Sequence, residues 1–520
     1  MGITSAALVA FDHKSGESMR AVWIYLAACQ AGAACLILMF FAIGSAEVSD
    51  LTIFILALLG FGLKAGFTGL HVWLPEAHPA APAPVSAIMS GAMINLGLYG
   101  ILTFVPEGQG HFSNLSFEIM GWTFLVLGLT GSLLGILFAL PQKNLKRLLA
   151  FSSIENMGII SLALGLFYLA LERDMEETAT LAFAGFLLHI VNHALLKGGL
   201  FLGAGSVFKA TGTLNMDEMG GLMKRMPFTG ALFTLNATGI SGLPPFNGFI
   251  SEFLIYLAAF QGIIHGSGTF LVGCLCSVIV LALVGGLAVA AFSKTIGAVF
   301  LGEPRSERVA SSVDVPATMK GPVIALFTLS LIVSLTGPFV LQNWLVVSSE
   351  IAPSSVFQKL GIAFLLLYAL VGLLLLIRFR LLPRSRENIP GPTWDCGYAK
   401  PTAKMEYTGT AFTQPLVDFF ASVLHPLRLL NKPDSLFPAS SSVEMTVEDA
   451  GIRFLWGPLF GRFSTTAKKM HAMQSGHLHS YILAMVAAVV AMLVWAMRVH
   501  PESPAEPDTG ITSESAAIKD

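Results

Sequence analysis

The sequence predicts an all-α polytopic membrane protein of about eleven transmembrane helices, two of them discontinuous. Three observations predict it. Only 12% of the 520 residues are charged, against about 25% in a soluble domain, and mean hydropathy is +0.72. Apolar runs close to the roughly 20 residues that a crossing helix needs recur along the chain. Basic clusters fall on alternate loops between them, as a positive-inside topology requires. The 38 phenylalanines and 51 glycines suit helices packed closely in hydrocarbon.

The opening "MGITSAALVAF" is apolar but has no basic n-region and no cleavage site, so it is not a signal peptide. At about eleven residues it is too short to span. Residues 1–21 read as the remnant of an upstream helix followed by a cytoplasmic loop. Spans then fall at 22–42, 51–70, 85–104, 119–140, 149–171, 179–208, 229–265, 268–300, 322–347, 360–379 and 481–498. Two are irregular. After Lys64 the chain runs into "HVWLPEAHPAAPAP", and 229–265 contains "SGLPPFNGF", a Gly/Pro interruption at Gly242–Gly248.

The loops test this order. Lys14 and Arg20 lie inside, Glu47 and Asp50 outside, "PQKNLKR" inside and "ERDMEE" outside. Lys209, Lys224, Arg225, Arg305, Arg308, Lys320 and "RFRLLPRSR" fall inside again. The alternation holds only if 229–265 crosses once as a broken helix. It places 381–480 in the cytoplasm and the polar tail 499–520 outside it, beyond the last span. Near 450–475 a basic amphipathic stretch predicts a helix along the membrane surface or against a partner.

Composition and motifs exclude several classes. A net charge of −2 gives no argument for nucleic acid. The five cysteines form no CxxC or Cys/His set, so neither a disulfide framework nor an iron–sulfur cluster is expected in this chain. There is no Walker loop, dinucleotide fingerprint, HExxH or nucleophile elbow. A membrane protein with charged stripes and no catalytic motif conducts something.

The charges inside the spans say more, because each costs roughly 2.5–3.5 kcal/mol on insertion scales. His189, His193 and Lys197 stand at i, i+4 and i+8 on one stripe of a helix. Histidine titrates near neutral pH, and a lysine out of water can exchange protons there too. One histidine alone would read as a satisfied packing residue; three groups in register read as a proton relay. Lys64 stands fourteen residues into its span, just before irregular backbone of the kind tolerated where it lines a cavity. His71, two turns on, is its next expected polar contact. Glu252 follows the second break and is either a proton carrier or a carboxylate paired for packing. Glu155 is either functional or a cap near a span's end, and Glu76 and His78 are as readily solvated as functional. Lys294 reads as an interfacial anchor.

Four stretches then resemble, in order, the antiporter-like membrane subunits shared by respiratory complex I, Mrp cation/proton antiporters and energy-converting nickel–iron hydrogenases. They are "LKAGFTGLHVWLPEAHPAAPAPVSAIMSGAMINLGLYG", "KNLKRLLAFSSIENMGII", "HIVNHALLKGGLFLGAGSV" and "GLPPFNGFISEF". The later "TWDCGYAKPTAKMEYTGTAFTQPL" resembles the branch that holds the B component of hydrogenase-4 and formate hydrogenlyase subunit 3. The resemblance implies inverted five-helix repeats, the first incomplete here, within an antiporter-like transmembrane domain over 22–380. It implies a proton wire from Lys64 through His189, His193 and Lys197 to Glu252. Asn95 stands where many relatives carry a linking lysine, and their upstream glutamate partner of the broken-helix lysine is not in this sequence.

The expected function is therefore a non-catalytic, proton-translocating subunit in a cell inner membrane. Other membrane subunits and peripheral hydrogenase-type electron-transfer subunits are the expected partners. This chain is expected to bind no cofactor itself, with nickel–iron and iron–sulfur centres in the partners. The alternatives are an Mrp-like Na⁺/H⁺ antiporter subunit, a complex I-like NADH–quinone oxidoreductase pump subunit, and a non-pumping membrane anchor.

Overall fold

A computed structural model describes residues 2–43, 47–104, 117–344, 354–381, 402–431, 442–449 and 451–471, with scattered positions between 483 and 494. "TWDCGY" and the tail 499–520 lie outside the described residues. The chain divides into Met1–Leu455 and Trp456–Asp520. Among the described residues, nine helices are long and apolar enough to cross a membrane.

In the first unit, α1 (Gly2–Val9) lies against α2 (Gly16–Ile43). Helix α3 (Asp50–Ala65) starts at Ser49, whose hydroxyl accepts from the Thr52 N–H. It stops before the predicted limit of residue 70, because Gly66 takes a left-handed conformation (φ 76°) and turns the chain out of the helix. Irregular backbone follows to α4 (Leu74–Ala80) and α5 (Ala83–Ile88), which runs through a π turn at Met89–Met93 into α6 (Asn95–Phe104). Next come α7 (Phe117–Ala139), α8 (Leu145–Leu171) and α9 (Glu176–Thr211).

Short α10 (Leu222–Arg225) leads to the second discontinuous helix, α11 (Pro227–Ile240) and α12 (Asn247–His265). Then follow α13 (Gly268–Phe300), α14 (Glu307–Ala310), α15 (Ala317–Trp344) and α16 (Ser354–Leu381). The unit continues with α17 (Gly409–Phe419), α18 (Ala421–Leu424) and an antiparallel hairpin of β1 (Leu427–Asn431) and β2 (Ser442–Thr446). The second unit contains α19 (Gly457–His471), the helix predicted near 450–475, and described positions from 483 to 494 are helical.

Helix α8 is the axis of the bundle: from Leu145 to Ala170 nearly every residue is buried. It packs on α7 through glycines, since a side chain at Gly128, Gly158 or Gly165 would run into the facing backbone. The outer helices α2, α13, α15 and α16 expose Phe41, Ile279, Ile332 and Leu366, the face a bilayer covers.

Several loops assigned to the same side meet at one end of the bundle. At one end the Leu145 N–H donates to the Leu214 carbonyl (2.9 Å) and the Gly221 N–H to that of Leu301 (2.8 Å). The Thr410 hydroxyl donates to Asp217 there (2.6 Å), docking α17. At the other end Arg173 meets Glu118 (3.1 Å). The broken helix crosses once: Thr229 in α11 donates to Asp314 (2.6 Å) at the first end, and Gln261 in α12 donates to Glu177 (3.0 Å) at the far one. Lys294 differs from expectation. It is 1% exposed and donates to the carbonyls of Leu140 and Gln142, both at 2.6 Å, so it closes the end of α7 instead of reaching into an interface. The docked α17 covers it, with Gly409 beside its stem.

Candidate functional site

The first break satisfies its backbone and charges from within the chain. Trp73 donates its indole N–H to the Leu63 carbonyl at 2.7 Å, pinning the end of α3. Lys64 donates to the Tyr25 phenol (3.3 Å), which shares a 2.6 Å hydrogen bond with Ser5. His71 does not turn to Lys64. Its Nδ1 accepts from the Gly69 N–H (3.2 Å), and its Nε2 meets the carboxylate of Asp449 at 3.0 Å. An Nδ1 that accepts has no proton, so Nε2 carries it and donates to Asp449. Burial alone would raise the Asp449 carboxyl. His71 and the Gly451 and Ile452 amides outweigh that and hold it below the ordinary range.

The central ladder stands as predicted on α9, with His189, His193 and Lys197 all buried. Asn156 turns its amide N–H to the Ser152 carbonyl (2.8 Å), leaving its oxygen to accept from His189 Nε2 (3.1 Å). His189 Nδ1 lies 3.0 Å from the Ser251 hydroxyl, which also reaches the Gly248 carbonyl (2.9 Å). That hydroxyl can donate to a neutral His189, or swing to Gly248 and accept from a protonated one. It therefore accommodates both protonation states without moving a backbone atom. Lys197 donates to the Leu149 carbonyl (3.1 Å) and lies 5.9 Å from the Phe292 ring centre.

Glu155 belongs to this site and is not a cap. It is 2% exposed, accepts from Ser152 (2.9 Å) and attracts Lys197. Glu252 is half-buried one turn into α12. Its carboxylate lies over Gly242, which has φ 66° in the second break. No cation pairs with it among the described residues. Asn95 donates to the Gly91 carbonyl of its own helix (2.8 Å), and its buried oxygen has no protein partner.

Sequence reasoning missed Tyr25, Asp449 and Lys146, and left His78 open between solvation and function. His78 is fully buried and neither ring nitrogen has a hydrogen-bond partner, as is also true of His193. Glu76, weighed with it, pairs instead with Arg147 at 2.8 Å. Among the described residues no cluster of three or more His, Cys, Asp or Glu could hold a metal ion.

Two interrupted helices around a buried histidine–lysine ladder define an antiporter-like, multi-pass membrane protein. The chain belongs to the NADH:quinone oxidoreductase/Mrp antiporter transmembrane family, whose model matches residues 18–280 and so contains Lys64, His71, Asn95, Glu155, His189, His193, Lys197 and Glu252. Hydrogenase-4 component B of Escherichia coli (strain K12) is 35% identical over 469 residues, 85% of this chain and 68% of that protein. Formate hydrogenlyase subunit 3 of the same organism is 35% identical over 396 residues, 74% of this chain. The chain spans 63% of the length of that subunit. The branch resemblance read from the sequence thus holds. In fold, it superposes on a chain of the membrane-bound sulfane sulfur reductase, an archaeal respiratory membrane complex. The TM-score is 0.68 at 21% identity, over 96% of this chain and 79% of that one.

Proposed function

We propose that this chain is the proton-translocating membrane subunit of an energy-converting nickel–iron hydrogenase complex in the cell inner membrane. Protons pass Lys64 at the first break, cross by His193, Lys197 and His189, and leave by way of Glu252. Nickel–iron and iron–sulfur centres sit in peripheral partner subunits, and their electron transfer acts on the ladder through its field. The observation that carries this reading is the buried ladder between two helix breaks, with Ser251 placed to serve both protonation states of His189. The relatives support the complex type: the matched proteins are a hydrogenase-4 component and a formate hydrogenlyase subunit.

A non-pumping membrane anchor is the second reading, favoured by Asn95, whose amide is committed to its own helix. Reconstitution of the complex in vesicles separates the two. His193→Leu and Lys197→Met should each cut proton uptake per electron at least about a hundredfold, the order of a lost proton-transfer group. Electron transfer to an artificial acceptor should persist. Unchanged uptake in both variants would sink the relay and leave the anchor.

A further inference from the structure

Beside the loop-rich ends of α2, α4, α8 and α9 lies a vestibule of about 1130 Å³. Asp12, Glu17, Glu76, Arg147 and Lys209 set charges into walls that are otherwise mainly apolar. The turn Ala80–Pro84 lines it, and so does Lys146, which is 3% exposed and donates to the Ala81 carbonyl at 2.6 Å. Pro79 and Glu76 are in this lining, and His78, the chain neighbour of Pro79, lies buried behind it.

The surroundings of His78 are unusual for a packing residue. Trp73 and Phe201 lie on its ring, with centroids 6.5 and 4.7 Å away and planes tilted by 26° and 21°. Aromatic stacking covers the faces and leaves the edges, where the two nitrogens sit. Both nitrogens lack a protein partner, as do both of His193, which is within electrostatic reach of His78. Lys146 and Lys197 are in reach of His78 as well. A buried polar atom left unpaired costs about 1–3 kcal/mol. Four such nitrogens in one region therefore call for water between the rings. Asn95, on the route from Lys64, has an unpaired oxygen too, but an amide does not take up and release a proton as an imidazole does.

We propose that His78 is a second proton entrance to the central ladder, fed from the vestibule past Lys146 and leading to His193 without passing Lys64 or Asn95. It rests on the relay reading above. A proton reaches one ring nitrogen of His78 from vestibule water while the other nitrogen releases one towards His193. The imidazole is left in its other tautomer and resets by rotating within its stacking plane to present its nitrogens again to the two sides, so nothing is consumed. Lys146 is a positioning residue that fixes the Ala80–Pro84 turn through the Ala81 carbonyl.

The test uses the whole complex in vesicles, with the His193→Leu variant alongside. His78→Ala should lower proton uptake at least about tenfold, and free imidazole added on the vestibule side should restore most of it. Thr318→Cys, on the vestibule wall, should support normal uptake until a bulky membrane-impermeant maleimide is added, and then lose it. If His193→Leu is inactive but His78→Ala stays within twofold of the parent, the entrance is not there. A His78→Ala loss that imidazole does not rescue, with no maleimide block, means a packing role and also overturns the proposal. An unaffected His193→Leu brings down the relay reading first, and this proposal with it.

Discussion

The two helix breaks solve the same problem with different chemistry. Irregular backbone at membrane depth leaves amides and carbonyls without partners, which hydrocarbon cannot supply. The first break answers with titratable pairs: Lys64 on Tyr25, and His71 on Asp449. The second answers with neutral groups. Ser334 and Tyr368 both donate to the Pro245 carbonyl, and Ser330 donates to Asn247 (2.6 Å). Asn192 and Asn247 bond reciprocally, by 2.7 and 2.8 Å contacts. Among the described residues Glu252 is then the carboxylate over that break, and no cation pairs with it there. The first break stores charge in pairs; the second leaves a single charge free to change.

That asymmetry predicts unequal losses. Glu252→Gln keeps shape and removes the proton carrier, so uptake in reconstituted complex should fall at least about a hundredfold. Lys64→Met removes the lesser of two parallel entrances and should cost less than about twofold. Equal losses would mean that the entrance past His78 is idle and that the breaks act in series.

Stability is expected to differ the other way. Asn247→Ala removes two side-chain hydrogen bonds and leaves the Asn192 oxygen unpaired. At about 1–2 kcal/mol for each interhelical bond it should destabilise the bundle by roughly 2–4 kcal/mol. Tyr25→Phe at the first break loses the phenol's contacts with Ser5 and Lys64 and should cost about 1–2 kcal/mol. Thermal unfolding in detergent checks both. A larger cost for Tyr25→Phe would show that the first break, and not the second, is the brace.

What was legible in the sequence follows from local spacing. The ladder was visible because ionisable groups at i, i+4 and i+8 are rare in an apolar run, and both breaks because Gly and Pro mark them. Glu252 and Lys64 were placed by their distance from those marks. What was not legible depends on chain folding over a helix end. Lys146, Lys294 and His78 stand close to loops, where sequence reading assigns solvent. The Ala80–Pro84 turn and α17 cover those ends, so the same residues are buried. The partner of His71 lies 378 residues away in sequence, and no periodicity connects them.

That distant pair yields the last prediction, an effect confined to one segment. A carboxyl held below its ordinary range contributes stability in full above the unfolded value, about 3.9. The contribution is lost as pH falls through the lower folded value. From pH 5 to 8, Asp449→Asn should therefore weaken the docking of residues 442–453 by a constant amount, about 1.5–3 kcal/mol for a hydrogen bond to a charged group. Below about pH 4 the parent should lose that advantage and approach the variant. Amide hydrogen exchange in β2 reads the docking directly, with α8 as the internal reference. A difference that instead disappears as pH rises from 5 to 8 would mean that the pair depends on a cationic His71. The proton placed on Nε2 alone would then be wrong, and the first break would carry a titrating charge of its own, as the second does in Glu252.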